Sequence, residues 1–168
     1  IGVITNADRV YILGLRSSAF LAGYLGFYLS FILDDVKVLT PSANDVLEQL
    51  LKVTDKDVTI GISYPRYSNR TIEALRYAKE KRCKIVGITD SLLSPAAQIS
   101  DYTLIGSSNM VSFVDSLVAP MSLINALIIG IGMNKKEDIT HYFEDLESIW
   151  KKYSVYNVKN TDVENFNK

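Results

Sequence analysis

Two stretches of this chain bring hydroxyl groups, an arginine and the start of a helix together, a combination that suits an anion. The first is Gly14-Leu15-Arg16-Ser17-Ser18; the second runs from Ser63 through Tyr64, Pro65, Arg66, Tyr67 and Ser68 to Thr71. Each follows a short β-type run and leads into a helical pattern. Serine and threonine O–H groups, with the free N–H groups of a first helical turn, match the acceptor oxygens of a phosphate. Arg16 and Arg66 add charge-assisted, bidentate hydrogen bonding to phosphate or carboxylate. The competing role for any one serine is a helix cap, and for either arginine a salt bridge to Asp90 or to a neighbouring subunit. Two such loops in one chain favour the anion. Tyr64 and Tyr67 are read as cover for the second loop.

Groups able to move a proton are few. The only histidine, His141, shares a helix face with Asp145 and Ser148, opposite the apolar stripe, which is the place of a surface residue. Glu48, after the second strand, is the best carboxylate candidate, against a plain solvated role. One histidine, one cysteine and no clustered ligand spacing predict no metal site. The Gly14 loop lacks Gly-x-Gly-x-x-Gly, and the chain has no Gly-Lys-Ser/Thr phosphate loop, so neither a nucleotide nor any other cofactor is expected.

Five runs rich in Val and Ile, at 9–13, 36–39, 58–62, 84–89 and 102–105, must position these loops. They alternate with helical patterns, which predicts βαβ units, and their nearly continuous hydrophobicity suits strands covered on both faces. The expected fold class is therefore α/β: a three-layer sandwich around a five-stranded parallel sheet, flavodoxin-like. In such a sheet ligands bind beyond the carboxyl ends of the strands, where both loops fall.

Leu21, Leu25, Tyr28, Leu29 and Ile32 recur at helical spacing, until Asp34-Asp35 breaks the pattern. Shorter helices are predicted from Ser42 to Asp45 onward, from Ser68 to Thr71 onward, and from Pro95 to about Ser100. Residues 110–130 read as one apolar helix, and a final helix over 136–152 carries Ile139, Phe143, Leu146 and Trp150 as its stripe. The expected organisation is one domain over 1–153 and a loosely ordered tail over 154–168, rich in asparagine and charge.

The chain's 168 residues and 48% hydrophobic content suffice for one core, and a net charge of -1 gives no basis for a nucleic-acid face. The lone Cys83 precludes an internal disulfide and suits a reducing cytoplasm, and the absence of a charged, apolar leader after Ile1 predicts no secretory signal. An opening residue other than methionine points to a fragment. Asp115, Pro120 and Asn125 interrupt the 111–131 run, which is expected to be a buried or interface helix and not a membrane span.

Gly14-x-Arg16-Ser17-Ser18, the Ser63 to Ser68 loop, and Ile88-Thr89-Asp90 with Ser94-Pro95 and then Asp101 resemble a sugar isomerase (SIS) domain. More closely, they resemble the SIS domain of the RpiR family of bacterial transcription regulators, over roughly residues 7 to 130. In that family the resemblance implies an N-terminal helix-turn-helix domain that binds DNA and a C-terminal SIS domain that senses a phosphosugar; this chain looks like the second part. Ser18 matches the serine of Gly-x-Gly-x-Ser, and Ser63 and Ser68 match the first serine and the threonine of Ser-x-Ser-Gly-x-Thr. Thr71 is a weaker match one turn on. Arg16 replaces the second glycine of the first motif, and Pro65 and Arg66 replace the second serine and the glycine of the second.

The expectation is a non-catalytic phosphosugar sensor, cytoplasmic and homo-oligomeric, with the apolar helix in the subunit interface and DNA contacted only through a domain outside this chain. Its ligand residues would be Gly14, Arg16, Ser17, Ser18, Ser63, Arg66, Ser68 and Thr71. The alternatives are a sugar-phosphate aldose–ketose isomerase using Glu48 and His141, in a fold where some isomerases draw a histidine from a late helix, and a plain dimerisation module.

Overall fold

The computed structural model describes residues 1–41, 45–108, 110–111 and 114–156, with the side chains at 110, 111, 136–139 and 141 left aside. The chain divides into two compact units, Ile1–Lys135 and Lys136–Lys168.

The first unit is built on five parallel strands: β1 (Val10–Gly14), β2 (Val36–Leu39), β3 (Val58–Ile62), β4 (Lys84–Thr89) and β5 (Tyr102–Ile105). Their spatial order is β2-β1-β3-β4-β5. Four of the five strands lie at the expected positions; the first is shifted by one residue, and Arg9 just ahead of it pairs with buried Asp57 at 3.1 Å.

Alternate residues of β1 feed two cores, as strand geometry requires. Val10 and Ile12 face α1 (Gly2–Thr5), α2 (Ser18–Leu29) and α6 (Val118–Asn134), through Ile4, Leu21, Leu25, Ile124 and Ile131. Tyr11 and Leu13 face α3 (Val46–Gln49), α4 (Asn69–Glu80) and α5 (Pro95–Ile99), through Val46, Ile72, Leu75 and Ala96. These are the three layers that the alternation of strand and helix patterns implies. Gly61 of β3 admits Leu75 of α4 so closely that a Cβ there would lie 2.6 Å from both its methyl groups.

Caps fix the helix starts. Asp45 accepts from the Leu47 N–H at 2.8 Å, and Ser94 accepts from the Ala97 N–H at 3.1 Å just ahead of Pro95. The remainder of the predicted start of α3, residues 42–44, lies outside the described residues.

The structure corrects the reading of residues 110–130 as one helix. A hairpin of β6 (Met110–Val111) and β7 (Val114–Asp115) comes first, and α6 begins only at Val118. Pro120 sits in the first turn of α6, where no intrahelical N–H is required. Apolar character alone does not separate a strand from a helix over so short a run. Among the described residues no helix is long and apolar enough to cross a membrane.

The second unit holds α7 (Lys136–Tyr153). Leu146 and Trp150 of its predicted stripe are partly buried, Phe143 is exposed, and the side chain of Ile139 lies outside the described residues. Of the predicted tail, only residues 154–156 are described.

Candidate functional site

From β1 the chain leaves toward α2 on one face of the sheet, and from β3 toward α4 on the other. Adjacent strands whose connections part in this way open a crevice between their carboxyl ends. A cleft of about 760 Å³ occupies that place. The β1–α2 and β3–α4 loops form two of its sides, and Val114, Asp115 and Leu117 form a third.

Arg16, Ser17, Ser18, Ser63, Arg66, Ser68 and Thr71 all line the cleft. Gly14 lies beneath it: a Cβ there would collide with the Ser18 carbonyl oxygen, so only glycine lets the first turn of α2 rest on the end of β1. Arg16 and Arg66 have φ of 58° and 67°. This left-handed backbone is the one glycine adopts without cost, and it falls at the two motif positions where glycine is replaced. The loops thus keep a glycine-type path while each presents a guanidinium.

The serines differ. Ser68 caps α4, accepting from the Thr71 N–H at 3.4 Å, so the capping role holds for it. Ser17 stands at the N-cap of α2 but makes no capping bond, and its hydroxyl donates to Asp115 Oδ2 at 3.1 Å. Ser18 and Thr71 are buried at the cleft wall. The hydroxyl of Ser63 is buried with no hydrogen-bond partner among the described residues, and so is that of Tyr64. Buried polar groups in native proteins are nearly always satisfied, so an unpaired hydroxyl at the wall of a cleft marks where a ligand oxygen fits. Burial, aided by the charge of Asp90, pushes the Tyr64 phenol well above its ordinary pKa and keeps it a neutral donor.

Two sequence expectations, for Arg66 and for Tyr67, are corrected here. Arg66 pairs not with Asp90 but with Asp115, its Nη2 lying 3.4 Å from both carboxylate oxygens. Asp90 is engaged by the Tyr67 hydroxyl at 3.0 Å and the Thr89 hydroxyl at 3.1 Å, so Tyr67 does more than cover the loop. Glu48 is exposed on α3 and is not part of the cleft wall, because the short α3 turns its buried side, Val46, to the sheet. The side chain of His141 lies outside the described residues. Asp115 itself escaped sequence reasoning: it sits 49 residues from Arg66 and 98 from Ser17, and no local pattern signals so distant a pairing. Among the described residues no group of three His, Cys, Asp or Glu side chains is arranged to hold a metal ion.

The profile of the SIS domain family matches residues 3–130. The chain belongs to the SIS domain family. A solved sugar isomerase domain of an RpiR transcription factor from Sphaerobacter thermophilus superposes on this SIS domain with a TM-score of 0.83 at 28% identity, covering 88% of this chain and 82% of that one. Vibrio vulnificus NanR, solved in complex with ManNAc-6P, superposes with a TM-score of 0.74 at 16% identity over 88% of this chain and 58% of its own; that likeness concerns the fold. In sequence, an HTH-type transcriptional regulator of Caldanaerobacter subterraneus subsp. tengcongensis is 24% identical over 153 residues, which is 87% of this chain and 53% of that protein. This SIS domain therefore spans about half the length of that relative, and 36% of two further HTH-type regulators. Proteins described as sugar-phosphate isomerases share the fold at 13% and 21% identity.

Proposed function

We propose that this chain is the effector-binding domain of an RpiR-like transcription regulator and that its cleft receives the phosphate of a phosphorylated sugar. The observation that carries the reading is the buried Ser63 hydroxyl, without a partner among the described residues, set in a cleft between two helix N-termini and flanked by Arg16 and Arg66. Hydroxyl donors, helix N-termini and guanidinium groups are the components of a phosphate site. The regulator relatives and the sugar phosphate bound by NanR support the same assignment. DNA would be contacted through a separate domain, the protein would act in the cytoplasm, and a homodimer would relate two such heads.

A sensing role without turnover agrees with the cleft's chemistry. Among the described residues the carboxylate lining the cleft is that of Asp115, and it is already engaged by Ser17 and Arg66, which does not suit a base that must be free to move a proton between sugar carbons.

The test is thermal denaturation of the chain with a panel of sugar phosphates and the matching unphosphorylated sugars. A ligand at a hundred times its dissociation constant adds about 2.7 kcal/mol, a shift of several degrees. The expected result is a shift that requires the phosphate and fades in Ser63→Ala. A shift that persists undiminished in Ser63→Ala, or one given equally by the bare sugars, rejects the site.

A further inference from the structure

A carboxylate already lines the cleft and is engaged by both of its loops. Asp115, the last residue of β7, accepts the Ser17 hydroxyl from one anion loop at 3.1 Å and lies 3.4 Å from the Arg66 guanidinium of the other. Its side chain is only 12% exposed. The Ser17 hydroxyl makes no capping bond at the α2 N-terminus and donates its hydrogen to Asp115. These are the same donors, an O–H and a guanidinium, that would meet a phosphate oxygen.

We propose that Asp115 is an internal competitor for the effector's anion: its carboxylate bridges the β1–α2 and β3–α4 loops when the cleft is empty, and an entering phosphate displaces it. This rests on the reading of the cleft as a phosphate site. A phosphate and a carboxylate at hydrogen-bond distance from one guanidinium repel each other, so the two do not share Ser17 and Arg66 without one moving. The carboxylate is carried by a hairpin of two short strands that pair with each other and not with the main sheet, so its shift would break none of that sheet's ladders. Only Ser116 and Leu117 separate Asp115 from α6, so displacement of the hairpin is delivered directly to the first turn of that helix. A ligand biases a conformational equilibrium only through its different affinity for the two states, and the Asp115 contacts supply that difference.

The experiment is calorimetric titration of the 168-residue chain and its Asp115→Asn variant with inorganic phosphate and with the panel of sugar phosphates. Removing the competitor and its like charge, while the Arg66 side of the pair is largely exposed, is expected to tighten anion binding by about 3- to 10-fold. Arg66→Ala is then expected to weaken binding more in the Asp115→Asn background than in the parent, because Arg66 is no longer shared. A second measurement needs no variant: on titration with phosphate the backbone amide resonance of Asp115 moves together with those of Ser17 and Ser63. Unchanged or weaker binding by Asp115→Asn, or a stationary Asp115 resonance while Ser63 responds, overturns the competitor and leaves the anion site standing. No anion binding by either protein overturns the site and the competitor with it.

Discussion

At residue scale, Arg16 and Arg66 separate what a backbone position demands from what its side chain does. A non-glycine residue in the left-handed region is strained by about 1 to 2 kcal/mol, and glycine gives back about 0.5 to 1 kcal/mol of that through its freer unfolded chain. Arg16→Gly is therefore expected to leave stability unchanged or raise it by up to about 1 kcal/mol, while Arg16→Val at the same φ of 58° is expected to lose more than about 1 kcal/mol. Urea denaturation of the two variants reads this, and a large loss with glycine would show that the arginine side chain, not the backbone, holds the loop. Cys83 is a second residue-scale case. It is buried, and chiefly for that reason its thiol is pushed up to about 11, despite the hydrogen bond with Thr59. Since the thiolate is the reactive form, alkylation of the native protein at pH 8 is expected to be at least about tenfold slower than in urea. Equal rates would mean that the segment opens readily.

The elements that hold the loops were legible in the sequence to different degrees. The runs at 36–39, 58–62, 84–89 and 102–105 appear in the structure with the same bounds: β3 and β4 are central strands and nearly continuous apolar runs, while β2 and β5 form the partly exposed edges and are short runs that turn residues delimit. The hairpin at 110–115 was not legible, because no glycine or proline separates Met110, Val111 and Val114 from the apolar α6. The same holds within the site: the loop serines and arginines announce themselves by sequence order, whereas Asp115 depends on folding to meet them. Asp101 shows how an element is tied in by such distant contacts. It starts the turn into β5, accepts from the Ile85 N–H of β4 at 2.8 Å and pairs with Lys79 of α4 at 2.7 Å. Burial alone would raise its pKa, but the hydrogen bonds from Lys79 and the Ile85 amide outweigh it and hold the carboxyl below its ordinary value. A group with a depressed folded pKa binds fewer protons native than unfolded, so its contribution is complete above the unfolded value near 4 and is lost as pH falls through the folded one. Asp101→Ala is accordingly expected to cost about 1 to 3 kcal/mol at pH 7 by urea denaturation, with the gap to the parent narrowing below about pH 4. A gap independent of pH would assign the loss to packing instead of charge.

At the scale of the whole molecule, the α2 and α6 surface decides how the proposed sensor would act on anything beyond itself. These helices pack together, with the Tyr24 hydroxyl donating to Asn125 at 2.8 Å, yet they leave Phe27 at 58%, Ile129 at 62% and Met133 at 75% exposed. The mean hydrophobic character of both helices is spread around the axis and not confined to the sheet side, as the exposure of Phe20 and Val118 also shows. Exposed apolar surface of this kind marks a contact site, and a second copy of the chain is the partner the proposed regulator would need if two heads are to be spaced on DNA. A stable interface buries about 800 Å² on each partner around apolar anchors of this size. A charge placed at its centre leaves an unpaired buried ion and costs about 3 to 5 kcal/mol of association. The chain is thus expected to sediment as a dimer at micromolar concentration, and Phe27→Asp with Ile129→Asp to sediment as a monomer with unchanged helix content. A monomeric parent, or a doubly substituted chain of unaltered size, would remove α2 and α6 from the assembly. Any signal raised at Asp115 would then have to leave the domain by another route.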